Sequence, residues 1–381
     1  MCKKYFTIIL CIMSSMISSG QSRKEYAIDP QLKILSNFNP PVSKAIAPVA
    51  SVFMDLMPKK IDKENIIYES FKVGDVKMHI MIPRSKADET TPCLFYIHGG
   101  GFIFKAYTNH YVMEQKYALG AGCRVVGIDY SLAPKHSFPT AMNECLEGYR
   151  YLLANAEELK IDTARMMIGG DSAGGLLAMD TYLSLEVSER PAGLMLVYPV
   201  VDDSQTTPSM KRFDDTPAWN SVNNAKMWDW YLAGQEYRSP LDRHTEFDVQ
   251  HLFVEVEEFD CLHDEGVMIY EALSPTCGHS VLLDNKGTFH GYDINFKADI
   301  TQESLRQRIS KPSESAFRIV HPAVKCERFM SLAAENFKTQ QNAMVFTGFL
   351  FPEIITRMVH KTTVAMTRCL TAKSIRLSFS F

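Results

Sequence analysis

The sequence predicts an α/β fold, a mostly parallel central sheet with helices on both faces and a helical cap. Three observations carry that prediction. Short apolar runs bounded by Gly, Pro or Asp alternate with stretches of helical period over most of the chain. These runs are largely continuous, as strands covered on both faces require. Two glycine clusters, at residues 99–101 and 169–175, directly follow such runs, where a strand must turn.

In chain order, residues 1–20 come first. Cys2-Lys3-Lys4 is a short basic start, Tyr5 to Met13 is apolar, and Ser14 to Gly20 is small and polar. Ser18 and Gly20 have the spacing of a cleavage site, which predicts a signal peptide and an exported protein. Because no charge falls between Tyr5 and Ser22, an uncleaved membrane anchor is the alternative, with membrane association running through residues 1–20. Residues 21–67 mix Pro40, Pro41, Pro48 and Pro58 with apolar clusters such as Val52-Phe53-Met54, and read as the first part of a cap.

Phe71 to Ile82 reads as a hairpin turning at Gly74-Asp75, with Val76, Met78, Ile80 and Ile82 alternating against Lys77 and His79. Strands at 93–97, 123–129, 165–169 and 193–200 then alternate with helices at 109–119, 140–158 and 173–187. The helix at 140–158 carries Met142, Leu146, Tyr149, Leu152 and Leu153 on one face, which is core spacing. Residues 202–238 interrupt the alternation as a cap insert. They hold Trp219, Trp228, Trp230 and Tyr231; helical spacing sends Trp228 and Tyr231 to the core and leaves Trp219 for a pocket wall. A strand at 251–259, a helix just after it, a strand at 280–284, a glycine-flanked loop at 286–292 and a closing helix at 299–309 complete a domain spanning 68–310. Residues 311–381 form an extension with ten Lys or Arg against four Asp or Glu, and its apolar run Ala343 to Phe351 is too short to span a bilayer. No catalytic role is assigned to it.

Composition narrows the function. The chain has 381 residues and a net charge of −4, enough length for one large core and no basic surface for nucleic acid. Nine cysteines, two of them within residues 1–20, show no paired spacing, which predicts buried free thiols. His263-Asp264-Glu265 lacks a second histidine at helical spacing, so no metal site is expected.

The chemistry lies in the glycine clusters. Gly170-Asp171-Ser172-Ala173-Gly174 is a G-x-S-x-G elbow between an apolar strand and an apolar helix pattern. The sharp turn would expose Ser172 at the carboxyl end of a sheet, and the glycines leave room for the neighbouring chain. A serine hydroxyl needs a base, an orienting acid and an oxyanion hole. His98-Gly99-Gly100-Gly101-Phe102 follows the strand at 93–97, and Gly99, Gly100 and Gly101 with Ala173 are the candidate backbone donors. His98 reads as structural. His290 falls in the late glycine-flanked loop and is the candidate base. Asp260 closes the strand at 251–259 and is the candidate acid; Asp264 and Glu265 are close rivals but lie within a helix pattern. Phe102, Asp171 and Trp219 are the candidate pocket residues.

These segments, together with Asp129-Tyr130-Ser131-Leu132-Ala133-Pro134-Lys135-His136, resemble the hormone-sensitive-lipase family of serine esterases within the α/β hydrolases. The resemblance runs from about Tyr68 to about Ile309 and lies closest to the G-D-S-A-G branch. It implies an α/β-hydrolase fold, structural roles for Asp129 and Pro134, and a Ser172, Asp260, His290 triad. It also implies hydrolysis of short- to medium-chain carboxylic esters of small molecules, with no metal or organic cofactor. Two rival readings share the motifs: a non-catalytic ligand-binding relative, and an amidase or peptidase using the same triad.

Overall fold

Eight strands form one sheet in the order β1-β2-β4-β3-β5-β6-β7-β8. They are β1 (Ile66–Val73), β2 (Val76–Pro83), β3 (Thr91–Ile97), β4 (Arg124–Asp129), β5 (Ile161–Asp171), β6 (Gly193–Val197), β7 (His251–Phe259) and β8 (His279–Phe289). β1 and β2 form the expected hairpin, β2 joins β4 antiparallel, and every pairing from β4 to β8 is parallel. The computed structural model describes residues 24–39 and 42–317, so the expected signal or anchor at 1–20 and the extension beyond Phe317 lie outside the described residues.

The strand sequences explain the layers. In β3, Leu94 and Tyr96 face one core while Phe95 and Ile97 face the other, as the two-residue period of a strand demands. The first core includes Tyr111, Met113 and Tyr117 of α2 (Thr108–Ala121) and Leu305 of α8 (Asp299–Ser315). The second takes Tyr149 and Leu152 of α3 (Thr140–Ala154), Leu176 and Leu177 of α4 (Ala173–Leu183), and Ile269 of α7 (His263–Leu273). Both faces are therefore covered, and the central strands β3, β4 and β6 are almost wholly buried. The cap is built from α1 (Ile46–Leu56) ahead of the sheet and from α5 (Pro208–Arg212) and α6 (Ser221–Leu232) between β6 and β7.

Several boundaries differ from the sequence reading. The hairpin starts at Ile66 instead of Phe71, β5 runs from Ile161 to Asp171, and β6 stops at Val197. The helices expected at 140–158 and 173–187 end at Ala154 and Leu183. The largest correction is β8: residues 286–289, expected as loop, continue the strand beside β7 through a register shift between Glu257 and Phe259. Gly287 makes this extension feasible, because its φ of 72° lies where a side chain would be strained. The closing helix runs on to Ser315, through Pro312, six residues past the expected end. The five cysteines among the described residues are free thiols, four buried and Cys277 half-buried, as expected.

Candidate active site

The site forms where the sheet changes direction. The chain leaves β3 for β4 on one side and returns to β5 on the other, which opens a crevice at the carboxyl ends of these strands. Ser172 follows β5, Asp260 follows β7, His290 follows β8, and the 99–101 glycines follow β3. Residues far apart in sequence thus meet at one edge of the sheet.

The elbow is strained at its serine, which has φ 54° and ψ −120°. Its backbone is held on both sides: the Ser172 N–H donates to the Val197 carbonyl (2.9 Å), and the Ser172 carbonyl accepts from the N–H groups of Gly175 (2.9 Å) and Val200 (3.0 Å). Such strain persists only where the surroundings over-determine it. The glycines have a measurable reason. A Cβ at Gly174 would collide with the Ile97 carbonyl oxygen of β3, and one at Gly175 would come within 2.7 Å of the Pro199 side chain.

His290 Nε2 lies 2.9 Å from Ser172 Oγ, and His290 Nδ1 lies 2.7 Å from Asp260 Oδ2. The other Asp260 oxygen accepts the Leu262 N–H at 3.0 Å. Asp260 is fully buried, His290 and Ser172 nearly so. The rivals are engaged elsewhere: Asp264 accepts the Ser209 N–H at 2.8 Å and Glu265 the Val201 N–H at 3.1 Å, tying α7 to the cap insert.

In the glycine loop, Gly100 (φ 119°) and Gly101 (φ 60°) line the cavity in front of Ser172. A Cβ on Gly101 would approach the Trp219 ring to 2.8 Å, so the close fit of loop and cap wall needs glycine here. Ala173 is the first residue of α4, where N–H groups have no partner within the helix. Gly99 departs from expectation. Its N–H donates to Asp171 Oδ1 at 3.0 Å, so it anchors the loop and is not available as an oxyanion donor. His98 is structural, as expected: it is buried, stacked on Tyr130 with ring centroids 4.4 Å apart, and donates from Nδ1 to the Gly99 carbonyl at 2.6 Å. Burial, then the neighbouring His110, push its pKa down to about 4, so the ring is neutral at pH 7.

The cavity has a volume of about 490 Å³ and a mostly apolar lining. Leu35, Phe38, Val49, Phe53, Met54 and Met57 from the cap face Ser172 and His290 across it. Trp219 lines it as expected, with its indole N–H donating to Asn224 Oδ1 at 3.1 Å. Trp228 and Tyr231 are core, also as expected. Phe102 is a correction: it does not line the cavity but is fully buried, stacked on Tyr231 with ring centroids 3.8 Å apart. Asp171 does line the cavity, where it accepts from the Tyr96 hydroxyl at 2.9 Å and faces His110 Nε2 at 3.5 Å. Burial opposes its charge, but His110 and the Tyr96 hydroxyl outweigh burial and hold its pKa at about 2. Sequence reasoning missed Tyr96, His110, Tyr198 and Asp293, which also line the cavity. Tyr198 and Asp293 had a usable signal: one immediately follows the apolar run of β6 and the other lies three residues after His290.

The chain is similar to known esterases in sequence and in fold. The chain is 29% identical to the carboxylesterase NlhH of Mycobacterium tuberculosis over 290 residues, covering 71% of this chain and 89% of that protein. It is 32% identical over 190 residues to the ethyl acetate hydrolase of Pseudomonas putida, covering 46% of this chain and 57% of that one. Among solved structures, a bacterial heroin esterase superposes with a TM-score of 0.68 at 28% identity, covering 77% of this chain and 98% of that chain. The family defined by the alpha/beta hydrolase fold matches residues 94–294, and the chain belongs to it.

Proposed function

We propose that this protein is a serine carboxylesterase acting on short- to medium-chain esters of small molecules. The observation that carries the reading is the hydrogen-bonded line from Asp260 through His290 to Ser172, opening into an apolar cavity. In this account Ser172 Oγ attacks the ester carbonyl carbon while His290 Nε2 takes its proton. The carbonyl oxygen becomes an oxyanion held by the N–H groups of Gly100, Gly101 and Ala173. The bond from acyl carbon to alcohol oxygen then breaks, and His290 returns the proton to the departing alcohol. Water, deprotonated by the same imidazole, attacks the acyl-serine and releases the acid. Asp260 holds the imidazole in place and stabilises its cationic form without taking the proton.

The esterase names of the similar proteins support the reaction class. The cavity supports the substrate size. Its volume lies in the range of small-ligand sites, and its apolar lining favours a hydrocarbon chain over a charged or sugar-like group. The test is a series of p-nitrophenyl esters from acetate to palmitate, on the full chain and on Ser172→Ala. Turnover of acetate to octanoate, little of palmitate and none by the variant is the expected result. Undiminished turnover by Ser172→Ala, or palmitate as the best substrate, contradicts it.

A further inference from the structure

The turn that follows His290 is tied to the rest of the molecule by a buried charged cluster. Arg308 of α8 is almost fully buried, and its guanidinium meets Glu255 of β7 through two bonds, Nε to Oε2 at 2.7 Å and Nη2 to Oε1 at 2.5 Å. Its remaining arm, Nη1, donates to Asp293 Oδ2 at 2.7 Å and also lies 3.4 Å from the Tyr117 hydroxyl. Asp293 belongs to the short turn Tyr292–Ile294, directly after His290 and Gly291. Its carboxylate accepts the Tyr198 hydroxyl at 3.0 and 3.1 Å. The Tyr198 ring packs on the His290 ring with centroids 4.7 Å apart at 60°.

Two features set this cluster apart from ordinary core polarity. Tyr198 has φ 35°, a region bulky residues avoid, and its N–H is fixed to the Glu255 carbonyl at 2.8 Å. The turn is also held at a second point, where the Tyr292 hydroxyl donates to Glu255 Oε1 at 3.0 Å. The Arg308 guanidinium and the carboxylates of Glu255 and Asp293 thus hold both the turn after the imidazole and the aromatic ring against it. A buried arginine is costly unless it is paired, and here Glu255 and Asp293 both pair it.

We propose that Asp293, clamped by Arg308, is a positioning residue that acts through the Tyr198 hydroxyl to hold the His290 ring between Asp260 and Ser172. The inference rests on the roles given to Ser172 and His290 above. The imidazole must keep both bonds while it takes and returns a proton, and a ring free to swing would lose one of them. Asp293 touches no bond of the His290 ring itself; its effect passes through Tyr198.

The test compares Tyr198→Phe, Asp293→Asn and the double variant, with Ser172→Ala alongside, for kcat, KM and Tm on p-nitrophenyl butyrate. Tyr198→Phe keeps the ring and removes only the hydroxyl, and Asp293→Asn keeps the shape, so both should fold where an Arg308 variant need not. Each single change should lower kcat about tenfold, the loss of one well-placed hydrogen bond, with KM within about twofold of the wild type. The double should fall no further than the worse single, because both act on one linkage. Wild-type kcat with only a lowered Tm, or two independent and additive losses, would overturn the inference. Turnover retained in Ser172→Ala would overturn the underlying assignment instead.

Discussion

Ser172, His290 and Asp260 could be read from the chain because each stands at a fixed offset from a recognisable feature: a glycine elbow, a glycine-flanked loop and the end of an apolar run. The structure brings the three within hydrogen-bond distance. Residues whose role depends on a distant partner were not legible. Gly99 looked equivalent to Gly100 and Gly101, but its N–H is taken by Asp171, which no local pattern reveals. Phe102 looked like a pocket residue, but a stacking partner in the cap insert, Tyr231, claims it. One prediction belongs here. Asp260→Asn preserves volume but removes the charge that fixes the imidazole tautomer. Turnover should drop by about 10³- to 10⁴-fold while Tm changes little. A steady-state assay with a parallel melting curve checks both halves of that statement.

Whole elements were more legible than their ends. Inner strands announce themselves by near-continuous apolar residues, and β3, β4 and β6 were found on that basis. β8 was cut short because Lys286, Gly287 and Thr288 look like a loop; as an edge strand it pairs only with β7 and has no reason to be apolar throughout. The join of α4 to the cap insert offers a test at this scale. Asp180 of α4 is buried with the Tyr237 hydroxyl at 3.0 Å, and burial pushes its pKa up to about 7 from 3.8. The folded chain therefore keeps this proton to higher pH than the unfolded chain does. The stability this gives is complete below about pH 4, declines as the pH rises to about 7, and is gone above it. Asp180→Asn cannot ionise, so its Tm should stay flatter than that of the wild type between pH 4 and 7. Melting curves at one-unit steps across that window would show it, and parallel curves for the two proteins would refute it.

At the scale of the molecule, the sheet order places four loops around one crevice, and the segments before β1 and between β6 and β7 roof it. The two cap regions were visible, one as proline-broken apolar clusters ahead of the sheet and the other as a break in the strand–helix alternation, but their shared cavity was not, since it depends on how α1 packs across the glycine loop. Met54 of α1 lines that cavity with a flexible side chain. Met54→Trp should fill part of it and lower kcat/KM for a hexanoate ester relative to acetate by at least about tenfold, the scale of one methylene refused by a pocket. An unchanged ratio would mean that the acyl chain lies elsewhere. The central claim is that Ser172 carries the acyl group, and covalent trapping reaches it most directly. The full chain, treated with an excess of a diethyl p-nitrophenyl phosphate, should gain one diethylphosphoryl group and lose its ester hydrolysis in step. Peptide mass spectrometry should place that group on Ser172, with no incorporation in Ser172→Ala. Labelling at another residue together with loss of activity, or full activity after Ser172 is labelled, would contradict the account.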